Sequence, residues 1–142
     1  MNIKVCGITT LKQLQQLEGL EIDFAGLIFY KDSPRYIGDK LEGAAIKDLD
    51  LDVKKVGVFV NPEMIDVLDA IDAYGLDVVQ LHGDETPEMC EDLSSEVEVI
   101  KAFSINSEPV LGSFSKRKHF SSNLLVNVFF FIILKHFLQA AY

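Results

Sequence analysis

The sequence is short of thiols, imidazoles and positive charge, and each shortage removes a class of function. Only two cysteines occur in 142 residues, Cys6 and Cys90, far apart and in no paired motif. No disulfide framework is indicated, and a reducing cytoplasmic setting is expected. The three histidines are scattered without zinc-ligand spacing, so no metal is expected. Lys and Arg total 13 against 22 Asp and Glu, giving a formal net charge of −9 that repels a polyanion. Nucleic acid is therefore not expected as a partner. The N-terminus lacks the basic segment and apolar core of a secretory signal. The apolar run "LLVNVFFFIIL" at 124–134 is broken by Asn127 and falls short of the ~18 residues a spanning helix needs. A membrane is not expected either.

What remains is the composition of an ordinary globular domain, 49% hydrophobic and 25% charged, long enough to bury a core. Short β-branched runs alternate with segments of helical spacing. Residues 2–6 read as a strand, and Thr9 or Thr10 caps a helix through Leu11, Leu14 and Leu17 that ends near Gly19. A second strand covers 23–30, and after the loop "KDSPRYIGD" a short helix holds Leu41, Ala44, Ala45 and Ile46. The third strand is 54–60, with Asn61 as N-cap and Pro62 next for a helix that carries Ile65, Leu68, Ala70 and Ile71 and stops at Gly75. A fourth strand spans 77–82, Thr86 and Pro87 open a fourth helix, and 98–103 form a fifth strand. Strands alternating with helices predict an α/β fold with a parallel sheet covered by helices.

Strand parity adds a further expectation. Lys4 and Cys6 share one face of their strand, Gln80 and His82 share one face of theirs, and Lys101 lies inside an apolar strand. Strands of a doubly wound sheet are apolar on both faces, whereas a barrel interior offers these polar groups a common destination. The alternative is that Lys4 and Lys101 face solvent at a sheet edge.

"KVCGIT" (4–9), "LIFYKDSPRY" (27–36), "KKVGVFVN" (54–61), "DVVQLHGDE" (77–85) and "VIKAF" (99–103) resemble, in order and spacing, the first five strand-and-loop units of the phosphoribosylanthranilate isomerase family. The resemblance covers about residues 2–105. It implies a TIM (β/α)8 barrel and, in tryptophan biosynthesis, an Amadori rearrangement. In that reaction N-(5-phosphoribosyl)anthranilate becomes carboxyphenylamino-deoxyribulose 5-phosphate, and no cofactor is needed. A small phosphosugar is the implied partner.

The same resemblance assigns roles. Cys6, at the C-terminal end of the first strand where barrel active sites lie, matches the general base that takes the C2 proton. Gly7 supplies the turn beside it. Arg35 matches the arginine after strand two, whose planar fork suits the anthranilate carboxylate; its bland reading is a solvated loop charge. His82 and Asp84 would line the same mouth, His82 either touching substrate or only hydrogen-bonded at the rim. Cys90, within a predicted helix, is read as packing.

After Phe103 the motifs stop. The family's general acid, an aspartate ending a sixth strand, and its glycine-rich phosphate loops have no counterpart in "SINSEPVLGSFSKRKHFSSNLLVNVFFFIILKHFLQAAY". A full barrel takes at least ~200 residues, so the expectation is an incomplete one of five to six units. Two parts are expected: 1–105 as the N-terminal βα units, and 106–142 as a divergent tail. That tail carries the basic cluster Lys116, Arg117, Lys118 and His119 and no acidic residue after Glu108. Asn127 could stand where the acid belongs, although an amide donates no titratable proton. The rival to a catalytic reading is a non-catalytic half-barrel that self-associates through its open sheet edge. A weaker one is a barrel for another phosphosugar.

Overall fold

Nine elements follow one another over residues 2–102, the residues that the computed structural model describes. They are β1 (Lys4–Cys6), α1 (Leu11–Glu18), β2 (Phe24–Ile28), α2 (Gly43–Lys47), β3 (Lys54–Phe59), α3 (Met64–Tyr74), β4 (Val78–Leu81), α4 (Pro87–Ser94) and β5 (Glu98–Lys101). The tail read from residue 106, with the basic cluster and Asn127, lies outside the described residues.

Local chemistry explains most boundaries. Thr10 starts α1 with a capping box, its side chain accepting from the Gln13 amide while the Gln13 side chain accepts from the Thr10 amide. Thr86 caps α4 by accepting from the Met89 amide, with Pro87 at the first helical position. Gly75 ends α3 in the left-handed conformation, φ 61°. One expected cap is corrected. The residue before α3 is Glu63, and Asn61 lies upstream of it at φ 47° with its side chain turned to another loop. Asparagine tolerates that left-handed geometry, which an N-cap does not use.

All four strand pairings are parallel and the spatial order is β1-β2-β3-β4-β5. An order that never reverses has no switch point, so right-handed crossovers lay every helix on the same face, as in a (β/α)8 barrel. Two apolar clusters flank the sheet. On the helix side Ala25, Leu27, Val79, Leu81 and Val99 pack with Leu14, Leu17, Ile46, Val67, Cys90 and Leu93. On the other face Phe24, Val56, Val58, Val78 and Ile100 form the inner cluster. Cys90 is fully buried in the helix-side core, so its thiol is a packing group.

Candidate active site

β1 ends at the site. Cys6 is exposed at the C-terminal edge of the sheet, opposite Gly26 of β2. A Cβ on Gly26 would lie 2.8 Å from Cys6 Sγ and 3.1 Å from Lys4 Cε. The missing side chain is therefore the space in which the thiol and the lysine stem sit. Beyond Cys6 the chain turns, with the Gly7 and Ile8 amides both donating to Gly26 O at 2.9 and 3.1 Å. Gly7 adopts φ 89°, which side chains rarely tolerate.

Arg35 lies over that glycine. A Cβ on Gly7 would meet Arg35 Cδ at 2.7 Å and Nε and Nη1 at 3.0 Å. The loop that carries Arg35 is folded back on β2. Its Tyr36 bridges Ile28, the Ile37 amide donates to Ile28 O at 2.9 Å, and the Arg35 amide donates to Ser33 Oγ at 3.2 Å. Buried Ile37 anchors the far side of the loop. The exposed Arg35 side chain thus lies over the glycine that follows the thiol in the chain.

Beneath Cys6 the expected inward parity holds for β1 and β4. Lys4 Nζ donates to Gln80 Oε1 across the sheet interior. Burial pushes the Lys4 ammonium below its ordinary range, and the nearby Cys6 partly opposes that shift. Lys101 departs from expectation: it shares the parity of Val99 and Leu81, which face the helices, and pairs there with Glu85 at 2.6 Å. Both side chains are almost fully enclosed, 3% and 1% exposed. A lysine in an apolar strand needs a carboxylate wherever it is buried, and Glu85 of the loop after β4 supplies it.

His82 and Asp84 follow β4 and are both exposed. The His82 amide continues the ladder by donating to Phe59 O at 2.9 Å, and the Asp84 amide donates to Asn61 Oδ1 at 2.7 Å. Partial burial, then the Lys4 and Lys101 charges, lower the His82 imidazole pKa, with Glu85 opposing. Burial alone would raise the Glu85 pKa. The Lys101 hydrogen bond, the Asn61 amide, its own amide and the Lys101 charge outweigh it and hold the carboxyl below the usual range.

The structure thus sets Arg35 against Gly7, the neighbour of Cys6 in the chain, and His82 within electrostatic reach of Lys4. Asp84 is fixed through its backbone, its carboxylate open to solvent. Four contributors escaped the sequence reading as site residues: Gly26, Gln80, Asn61 and Glu85. Only Glu85 left a usable signal, since a strand lysine flanked by apolar residues demands an acid nearby.

Comparison with known proteins fits this geometry. The sequence profile of N-(5'phosphoribosyl)anthranilate (PRA) isomerase matches residues 3–128, further along the chain than the five motifs reach. An N-(5'-phosphoribosyl)anthranilate isomerase from Gloeothece citriformis is 40% identical over 114 residues, 78% of this chain and 52% of that protein. One from Nostoc punctiforme is 34% identical over 132 residues, 91% of this chain and 63% of that protein. The crystal structure of phosphoribosyl anthranilate isomerase from Thermotoga maritima superposes with a TM-score of 0.65 at 38% identity, over 74% of this chain and 51% of that one. The chain spans about half the length of the curated relatives it matches. On these grounds the chain belongs to the N-(5'-phosphoribosyl)anthranilate isomerase family.

Proposed function

We propose that the chain provides the base and the carboxylate anchor of an Amadori isomerisation of N-(5-phosphoribosyl)anthranilate, with Cys6 and Arg35 in those roles. The observation that carries the reading is an exposed thiol at the strand end with a guanidinium packed over the adjoining glycine. A relative with a TM-score of 0.65 and 37% identity was solved with reduced 1-(o-carboxyphenylamino)-1-deoxyribulose 5-phosphate, a ligand of this chemistry.

The steps balance within the substrate. Protonation of the furanose ring oxygen breaks its bond to C1 as the amine lone pair forms C1=N. Cys6 thiolate then takes the C2 proton, the C–H pair becomes C1=C2, and nitrogen recovers its pair to give the enolamine. Protonation at C1 and loss of the C2 hydroxyl proton yield the ketone. No electron leaves the substrate, so no redox cofactor is required. In the family the ring-opening acid and the phosphate loops belong to later strands; neither motif occurs after Phe103 here, so water supplies the proton that opens the ring. Arg35 holds the anthranilate carboxylate, Gly7 gives it room, and exposed His82 and Asp84 contribute polar groups to the same mouth.

The test is binding of the reduced product analogue together with turnover of the aminoaldose. A charge-assisted contact contributes about 1.5–3 kcal/mol, so Arg35→Ala weakens binding roughly 10- to 100-fold. Cys6→Ser leaves binding near wild type and removes turnover. Unchanged affinity in Arg35→Ala would refute the anchor.

The second reading, a self-associating half-barrel without turnover, is favoured by the sheet. Among the described residues β1 and β5 each pair with one strand only. Sedimentation discriminates: a monomer that turns substrate over contradicts it.

A further inference from the structure

We propose that Glu85, gripped by Lys101, latches the β3–α3 loop to the β4–α4 loop and so serves as the positioning residue for His82 and Asp84. The carboxylate takes four contacts from three consecutive units of the sheet. The Asn61 amide donates at 2.9 Å, the Gly83 amide reaches both oxygens at 3.0 Å, and Lys101 Nζ approaches Oε2 at 2.6 Å. Lys101 also donates to Gly83 O at 2.5 Å, closing a ring around the turn. Asn61 completes a cross-brace, its amide giving to Glu85 while its side-chain oxygen accepts from the Asp84 amide.

Three features distinguish this from ordinary packing. Burying an ion pair is costly, and an apolar pair of the same volume often stabilises a fold as well, so the pair is better explained by the geometry it fixes. The brace demands unusual backbone: Asn61 sits at φ 47°, and a Cβ on Gly83 would come within 2.8 Å of the Asn61 amide nitrogen. Finally, the latched turn lies between His82 and Asp84, at the end of the sheet where barrel sites form. That the two residues meet substrate rests on the function proposed above, whereas the latch itself does not.

The experiment uses the full chain. Amide exchange is followed at Asn61, Gly83 and Asp84, and the His82 imidazole is titrated by NMR with His82→Asn to assign its signal. The double variant Glu85→Gln with Lys101→Met removes both charges without stranding either. The latch predicts at least tenfold faster exchange at Asn61 and Gly83, protection retained in β3 and β4, and a His82 midpoint moved slightly upward, because the lost Lys101 charge outweighs the lost Glu85 charge that opposed it. Wild-type exchange with an unmoved midpoint overturns it. Equal loss of protection in the strands also overturns it, since the pair would then serve stability alone. Asn61→Gly tolerates φ 47° and keeps the backbone amide on Glu85 while removing the acceptor of the Asp84 amide, and is expected to speed Asp84 exchange with the strands unaffected; unchanged Asp84 exchange contradicts the latch. Binding of the reduced product analogue by wild type separates the two proposals. Its absence defeats the substrate reading and leaves the exchange result to decide the latch.

Discussion

Replacing Gly7 with alanine separates backbone strain from side-chain placement at the proposed active site. Gly7 lies at φ 89°, and a residue with a Cβ held there stores about 1–3 kcal/mol. The added atom also lies 2.7 Å from Arg35 Cδ. Arg35 is an exposed, flexible side chain that swings away at little cost, so the overlap appears as displacement of the guanidinium and the stability loss comes from φ alone. Urea unfolding should register about 1–3 kcal/mol, and a melting point lower by roughly 3–5 °C per kcal/mol for a domain of this size. Affinity for the carboxylate-bearing product analogue should fall about as far as in Arg35→Ala. A double-mutant cycle completes the test. In an Arg35→Ala background, Gly7→Ala should cost the same stability and no further affinity. Undiminished stability in Gly7→Ala, or affinity losses that simply add, would refute the reasoning.

Further expectations concern the groups around that turn. Gly26→Ala places a Cβ 2.8 Å from Cys6 Sγ and 3.1 Å from the Cys6 Cα, so overpacking should cost about 1–3 kcal/mol and slow alkylation of Cys6 by iodoacetamide. Thr10→Ala removes the capping box of α1 and should lower urea stability by about 1 kcal/mol. Lys101→Met alone leaves the enclosed Glu85 carboxylate uncompensated and should cost about 3–5 kcal/mol, far more than the double variant. Acidification should act in two stages. The His82 folded pKa is depressed, so the unfolded chain binds the extra proton and stability falls as pH drops below the ordinary imidazole value of ~6.5. The Glu85 folded pKa is also depressed, so its contribution is full above ~4.3 and is lost as pH falls through the folded value. Urea midpoints across pH, repeated in His82→Asn, check the first stage; an unchanged profile there contradicts it.

Periodicity and caps made the fold legible because they act within a few residues. Thr10, Thr86 and Gly75 each govern a helix end through hydrogen bonds or dihedrals that the sequence displays directly. Asn61 shows the limit. It stands before a proline as a cap should, yet it serves a loop more than twenty residues away, and nothing local announces that. Parity placed Lys4 with Gln80 correctly, while Lys101 shares the helix-facing parity of Val99 and meets Glu85 there. Gly26 shows the same limit: the space that it leaves matters only because β1 lies beside it, a pairing that chain order alone does not reveal. The family motifs carried the candidate site, and the geometry around Cys6 and Arg35 is consistent with what they imply.

The role proposed for the sulfur of Cys6, removal of the C2 proton of the aminosugar, is measured by conversion of N-(5-phosphoribosyl)anthranilate by the purified chain and by Cys6→Ser. Loss of a general base costs about 10²–10⁴-fold, so conversion by wild type should exceed that of the serine variant by at least the lower figure. Equal rates in the two proteins, or no conversion by either, would contradict the account.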